Sequence, residues 1–455
     1  MTSKRLTIKF PCSPGIAGLA ALLSLPSVAN AQRPNHPPAI NSPNAVTITT
    51  TGQFGSPLPG LTAAELTNFA TGQAQFETFD AITPDGLGPI FNAQACVACH
   101  TQPNTSTNPV ITPPVGGNVA TAVVSGITPG GASAIMEIRA GKLNPNGSFN
   151  PLTNEDGTLF HLASVSPGSQ ETVPPDATIV AHRKTTPLFG AGLIEAIPDA
   201  AIEANVHRTP VDGVTGRAAI LSDAVTKAIG TNFVGRFGWK CQESTVLAFA
   251  GDAYLNEMGI TNRFFTTDLA PDGNEAALVA AEPAGITPTT LQDLPTNPAL
   301  PEGPTNKDDI ARFTDFMQLL APPPTVPLSP QAAEGQQLFT SIDCVACHKP
   351  TMQTGPSTVS PALAFKTVHL FSDLLLHNMG SLNDGIAQAD AQPTELRTAP
   401  LWGLRARAPY LHDGRASTIL RAILFHDGEA LTIRNRFANL SASQQQAIIA
   451  FLESI

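Results

Sequence analysis

Cys96-Val97-Ala98-Cys99-His100 and Cys344-Val345-Ala346-Cys347-His348 decide the class of this chain. Thiols three residues apart project from the same side of one helical turn. They can therefore reach the two vinyl groups of one porphyrin, and the His that follows can present its imidazole to the iron. Cys-x-x-Cys-His is the pattern of c-type haem attachment. Two copies predict two covalently bound haem c groups, one on Cys96, Cys99 and His100 and one on Cys344, Cys347 and His348, with His100 and His348 on the irons. A zinc ribbon would bring its Cys pairs together and has no use for the adjoining His. A thioredoxin-like site would want one such pair, and a disulfide across this spacing would close a strained ring. Cys241 is left over and reads as a small buried hydrophobe.

Composition sets the frame around the two motifs. The 455 residues are 42% hydrophobic, enough to bury two or three domain cores. Charged residues are only 13%, against 42 Pro and 36 Gly, which predicts short helices in much irregular backbone. The expected fold is mainly α with long irregular loops, arranged as two cytochrome c-like haem domains. Residues 1–31 read as a signal peptide: Lys4, Arg5 and Lys9, an apolar run from Gly15 to Val28, then Ala29-Asn30-Ala31 as a cleavage site. Cys12 would be discarded with it. The run is too short to span a membrane, and no later stretch is long and apolar enough, so a periplasmic or otherwise exported protein with no integral membrane span is expected. Loss of three positive charges would take the formal net charge from -11 to -14, which disfavours nucleic acid as a partner.

The chain also echoes itself. Ile90-Phe91 precedes Cys96 at the interval by which Leu338-Phe339 precedes Cys344. Thr185-Thr186-Pro187-Leu188-Phe189-Gly190 pairs with Thr398-Ala399-Pro400-Leu401-Trp402-Gly403, and Ser244-Thr245-Val246-Leu247 with Ser417-Thr418-Ile419-Leu420. The order is conserved between the copies, as expected of two modules with the first enlarged. The boundaries follow from composition: a flexible lead-in over 32–58, rich in Pro, Asn, Ser and Thr; an N-terminal haem domain with insertions over 59–320; a Pro-rich linker over 321–330; and a C-terminal cytochrome c domain over 331–455. Within the last, Ser329-Pro330 opens a capped helix toward the second motif, and Ser441 to Ile455 forms a closing helix.

The second axial position of each iron separates a catalyst from a carrier. For the second haem His426 is the leading distal ligand, with His377 and Met379 as rivals; Met379 would give a high-potential His/Met pair. The first haem has fewer candidates. His161 is the next His after His100; His182 and His207 sit in polar settings, Met258 is a weak distal ligand, and an open iron is the alternative. Glu257, beside Met258, is a candidate catalytic acid/base for peroxide protons. Trp239, one of two Trp, is a candidate stepping stone for electrons.

With these residues in place, the chain from about Gly86 to Ile455 resembles the di-haem oxidoreductase branch of the bacterial di-haem cytochrome c peroxidase superfamily. The carriers are Leu87-Gly88-Pro89-Ile90-Phe91-Asn92, Thr186 to Pro198, Gly235-Arg236-Phe237-Gly238-Trp239-Lys240, Phe371 to Gly380, and Ala408-Pro409-Tyr410-Leu411-His412-Asp413-Gly414-Arg415. The resemblance implies a peroxidatic haem in the N-terminal domain and an electron-accepting haem in the C-terminal one. It places the second haem's far ligand on His426, keeps the element around His377 off the iron, and matches Glu257-Met258-Gly259 to the catalytic Glu-Met-Gly element. Two departures stand out. A counterpart of the loop bearing the resting enzyme's distal His is missing, and Arg407 replaces the Thr of Thr-Ala-Pro-Tyr, where relatives hold calcium between domains, which counts against calcium here.

The expected activity is reduction of hydrogen peroxide, the small-molecule oxidant, with electrons from a small exported donor, a cytochrome c or cupredoxin. The alternatives are haem-dependent oxidation of an organic or protein substrate, and a pure electron-transfer cytochrome with both irons saturated.

Overall fold

The computed structural model describes residues 46–47, 53–102, 128–129, 136–152, 158–221, 233–283, 285–300, 303 and 305–455. The expected signal peptide over 1–31 and most of the lead-in lie outside them. Eleven α-helices form among the described residues: α1 (Ala63–Phe76), α2 (Cys96–Cys99), α3 (Ala191–Glu195), α4 (Asp199–Glu203), α5 (Val246–Met258), α6 (Glu275–Ala281), α7 (Asp309–Leu319), α8 (Pro330–Ser341), α9 (Ile419–Leu424), α10 (Leu431–Ala438) and α11 (Ala442–Ser454). Long irregular segments join them, as the Pro and Gly content predicts. None is long and apolar enough to cross a membrane.

Two helix pairs organise the chain. The α1 helix starts at Thr62 in a capping box with Glu65. Ser329 caps α8, with Pro330 in the first helical position. Each of these helices leads into a Cys pair, and each is crossed by the last helix of its own half, α1 by α7 and α8 by α11. Both crossings depend on a missing side chain. A Cβ on Gly72 would stand 2.3 Å from the Arg312 carbonyl oxygen, and one on Gly335 would stand 1.9 Å from that of Ala447.

The repetition extends to the rings beside the motifs. Phe76 at the end of α1 lies 6.0 Å from the His100 ring, and Phe339 in α8 lies 6.3 Å from that of His348. The echo of Ile90-Phe91 with Leu338-Phe339 is thus not one of place. Residues 90–91 form a short strand pairing with 163–164, and the structural counterpart of Phe339 is Phe76. The Ser-Thr echo does hold: Thr245 caps α5 by accepting from the Ala248 N–H, and Thr418 caps α9 by accepting from that of Arg421.

Separate apolar clusters fill the two halves. Phe69, Phe76, Tyr254, Met258, Phe313 and Phe316 pack among α1, α5 and α7. Phe339, Phe371, Phe437, Ile448, Phe451 and Leu452 pack among α8, α10 and α11. A third cluster, with Leu193, Ile197, Ile202, Leu370 and Trp402, lies along α3 and α4. Ala321, in the Pro-rich connector, belongs to it, and the connector is tied at both ends: the Ala321 N–H donates to Ser56 O and the Val326 N–H to Ser454 O. The described end of the lead-in packs here too, with Leu58 buried and its N–H donating to Leu319 O.

The first half carries an element that the helical reading did not contain. Residues 136–143 pair antiparallel with 179–184, in the register Glu137↔Arg183 and Ile138↔His182, and also with 159–160 and 149–150. Side chains alternate across a strand. Ala140 joins Leu152 and Phe160 in a small core against which Ile138 packs, which leaves Glu137 and Arg139 for the other face.

Candidate active site

Glu137 and Arg139 face a cavity shared with Cys96, Cys99, His100, Lys184, Trp239, Glu257 and Met258. The last turn of α5 is clamped onto the segment before the Cys pair. Asn92 N–H donates to Glu257 O at 2.7 Å, Ala93 N–H to the same oxygen at 3.2 Å, and Gly88 N–H to Met258 O at 3.1 Å. The Glu257 carboxylate is held in turn, its Oε2 accepting from Asn92 Nδ2 at 2.7 Å. Burial, reinforced by the charge of Glu137, pushes the Glu257 carboxyl up to about 7. Glu137 stays below the ordinary carboxylate range against its burial, because Arg139 grips both its oxygens, at 2.8 and 3.3 Å. The cavity thus holds one carboxylate locked to a guanidinium beside one that titrates near neutrality.

Met258 is 3% exposed and packs in the apolar cluster that walls this cavity. Of the other His candidates, His161 has both nitrogens engaged, Nδ1 with Glu171 at 2.6 Å and Nε2 with Asn256 O at 2.8 Å. His182 is exposed on its strand. His207 meets Ala346 O, inside the second motif, at 3.1 Å.

The second cavity is lined by Cys344, Cys347, His348, His377, Met379, Arg397, Arg407, His412 and His426. The rings of His348 and His426 lie 6.3 Å apart. Nδ1 of each is bonded to a main-chain carbonyl, Phe371 O at 3.1 Å and Ala422 O at 2.8 Å, which sets the tautomer and leaves Nε2 as the lone-pair nitrogen. Burial lowers both imidazoles, that of His348 to about 4, so both are neutral donors. His377 is differently placed. Its Nε2 meets Asp373 and its Nδ1 meets Glu429, each at 2.9 Å, and against its burial these carboxylates keep it protonated. Met379 is half-buried in the same cavity wall.

Trp239, Lys184 and Thr185 line both cavities. The indole Nε1–H donates to Lys184 O at 2.6 Å, and the ring meets His412 edge-on at 6.2 Å. Lys184 Nζ donates to Arg407 O at 2.6 Å and Pro409 O at 2.7 Å. These carbonyls belong to the element that the resemblance associates with calcium. Calcium needs oxygen lone pairs directed at it, and an ammonium already takes them, so the residues present do not fit that ion.

Haem fits both cavities by the chemistry of their walls. Each has two thiols on one turn with a His next in sequence. All five described cysteines are free, so no disulfide competes. Burial holds Cys99 and Cys344 up to about 12, as neutral thiols in the protein as it stands. The pairs line different cavities, which excludes a four-Cys metal site. Arg397, buried, and Arg407, half-buried, form no ion pair with a carboxylate among the described residues and suit the carboxylates of a porphyrin. Glu137, Arg139 and Lys184 were missed by sequence reasoning, because the strand register that brings them to the cavity is set between distant segments.

The sequence model of the family described as "Di-haem oxidoreductase, putative peroxidase" matches residues 164–455, well over half of the chain. That stretch contains Trp239, Glu257 and the second Cys pair and begins after the first pair. Among solved structures, the diheme peroxidase BthA from Burkholderia thailandensis E264 is 14% identical, with 90% of this chain and 89% of that one covered and a TM-score of 0.37. Hydrazine synthase from Kuenenia stuttgartiensis is 14% identical, with 60% and 73% covered and a TM-score of 0.30. A MauG-like protein associated with microbial copper homeostasis is 17% identical, with 59% and 88% covered and a TM-score of 0.27. No curated protein matches significantly.

Proposed function

The chain belongs to the di-haem oxidoreductase, putative peroxidase family, and from that premise we propose that it is an exported c-type cytochrome that reduces hydrogen peroxide at its first haem. Residues 59–320 form the peroxidatic domain and 331–455 the electron-accepting one, with 321–330 between them. Cys96, Cys99 and Cys344, Cys347 carry the haems as thioethers, His100 and His348 ligate the irons, and His426 closes the second. The observation that carries this reading is the set Glu257, Glu137 and Arg139, which shares one cavity with the first Cys pair.

Haem supplies one-electron redox chemistry, which no side chain here provides. The chain moves the protons. An ionised Glu257 takes a proton from peroxide and returns it to the departing oxygen, while Asn92 Nδ2 holds the carboxylate in place. The charge of Glu137, offset in part by Arg139, adds to burial in keeping the proton affinity of Glu257 near neutral pH. Each peroxide consumes two electrons and two protons and yields two waters. The electrons come singly from a small exported cytochrome c or cupredoxin, and Trp239 lies where they pass between the cavities.

Two measurements test the proposal. Intact mass of the exported protein must show two added porphyrins, one of them lost in a Cys96→Ser/Cys99→Ser double variant. Cyanide or carbon monoxide must bind one iron in at least one redox state; refusal by both would leave an electron carrier.

A further inference from the structure

Two lysines are buried near the cavities, and they are housed differently. Lys240 Nζ donates to Gln392 O, Pro393 O and Glu395 O, and has a counter-ion in Asp384 at 2.9 Å. Lys184 is 4% exposed and forms no ion pair with a carboxylate among the described residues. The groups its ammonium meets are the carbonyl oxygens of Arg407 and Pro409; burial, with the like-charged Arg407 side chain nearby, lowers it to about 7, so it is fully a cation on the acid side of neutrality. Burying an ammonium against carbonyls alone is costly, and a neutral side chain of similar length would avoid the cost. Two main-chain oxygens converging on a positive charge are the kind of ligand that a protein offers a cation.

The rest of Lys184 ties the same segment to the indole. Its own N–H donates to His412 O at 2.6 Å, and its carbonyl accepts the Trp239 Nε1–H at 2.6 Å. One residue therefore joins the strand 179–184, the 407–412 segment in the wall of the second cavity, and the ring that lines both cavities. Arg183, its neighbour, is bonded to Asp384 and faces Glu137 across the strand pair.

We infer that the Lys184 ammonium is the built-in cation of this junction: it stands at the Arg407 and Pro409 carbonyls where a divalent ion would otherwise bind, and it holds the 407–412 segment in register with Trp239. Lys184 is a positioning residue, and the protein needs no calcium. The consequence for electron passage between the haems rests on the function proposed above; the statement about cation occupancy does not.

The test uses the di-haem holoprotein, its Lys184→Met variant, which keeps the stem and removes the charge, and its Lys184→Gln variant, which keeps a neutral donor should the first fail to fold. Calorimetric titration with calcium chloride is the first readout. The wild type is expected to bind no calcium at the junction, whereas Lys184→Met gains a site. The second readout is electron transfer between the haems after rapid mixing with peroxide, with and without a chelator. The wild-type rate is expected to ignore the chelator, and that of Lys184→Met to fall roughly tenfold through misplacement of the path, partly restored by calcium, with Lys184→Gln between. A wild type slowed by chelation and restored by calcium overturns the inference, as does a variant that neither gains calcium binding nor slows. If electrons pass between the haems in neither protein, the proposed function fails while the calcium titration still decides the occupancy.

Discussion

His348 and His426 confront each other across 6.3 Å, each with its Nδ1 pinned to a carbonyl of its own main chain. Two metal–nitrogen bonds of about 2 Å each and two half-rings add to a separation of that size, which supports the proposed sharing of one iron by the pair. Changing one ring then has a defined outcome. His426→Ala should turn the second haem from low-spin to high-spin and open it to carbon monoxide, and His426→Met should raise its potential by on the order of 100 mV. A low-spin spectrum that survives in His426→Ala would transfer the distal role to another group, Met379 first.

Glu257→Gln separates catalysis from stability. Peroxide turnover should fall by a factor on the order of 10² to 10⁴ with both haems still attached. Stability should move the other way. A carboxyl raised to about 7 by burial holds a proton in the fold that it releases near 4.5 when unfolded, so its contribution weakens as pH climbs through that window. The neutral amide removes the penalty. Melting at pH 8 should be no lower in the variant than in the wild type, and a large drop would mean that Glu257 serves the fold.

The same carboxyl predicts a pH profile and a way to shift it. Because the base form is the one that accepts the peroxide proton, turnover should rise with pH through about 7. After burial, the Glu137 charge is the largest influence raising Glu257, so Glu137→Gln should move the midpoint toward acid. Rate profiles of the two proteins at saturating donor check this. A midpoint unmoved, or moved toward alkali, would detach Glu137 from the mechanism.

Gly335→Ala addresses the second helix crossing. The added methyl would meet Ala447 O at 1.9 Å, and forcing helices apart in a packed core costs about 1–3 kcal/mol. The denaturant midpoint of the holoprotein should fall accordingly, and Gly72→Ala should do the same at the α1–α7 crossing. An unchanged midpoint would show that the helices slide past each other freely.

What could be read from the residues alone was whatever is local along the chain. The Cys-x-x-Cys-His motifs, the Ser329 cap and the closing helix after Ser441 are contiguous patterns, and the structure presents Cys96, Cys344, α8 and α11 accordingly. Glu257 and Trp239 could be singled out by type and neighbourhood. Glu137, Arg139 and Lys184 could not, because their position comes from a strand register between 136–143 and 179–184 that no local pattern encodes. Phe91 was matched to Phe339 by an interval in sequence, whereas the ring that repeats in space is Phe76, whose distance from its Cys pair along the chain differs. Insertions move intervals and leave packing partners alone.

The two crossings at Gly72 and Gly335 have a last implication. Gly72 meets Arg312 and Phe316, while Gly335 meets Ala447 and Ile448, so the ring of chain closed in the first half is more than twice as long as in the second. Each doubling of a closed ring costs only about 0.6 kcal/mol of chain entropy. A small haem-binding helical pair can thus accept the whole stretch bearing Glu137, Arg139, Lys184, Trp239 and Glu257 between its helices for less than the worth of one side-chain hydrogen bond.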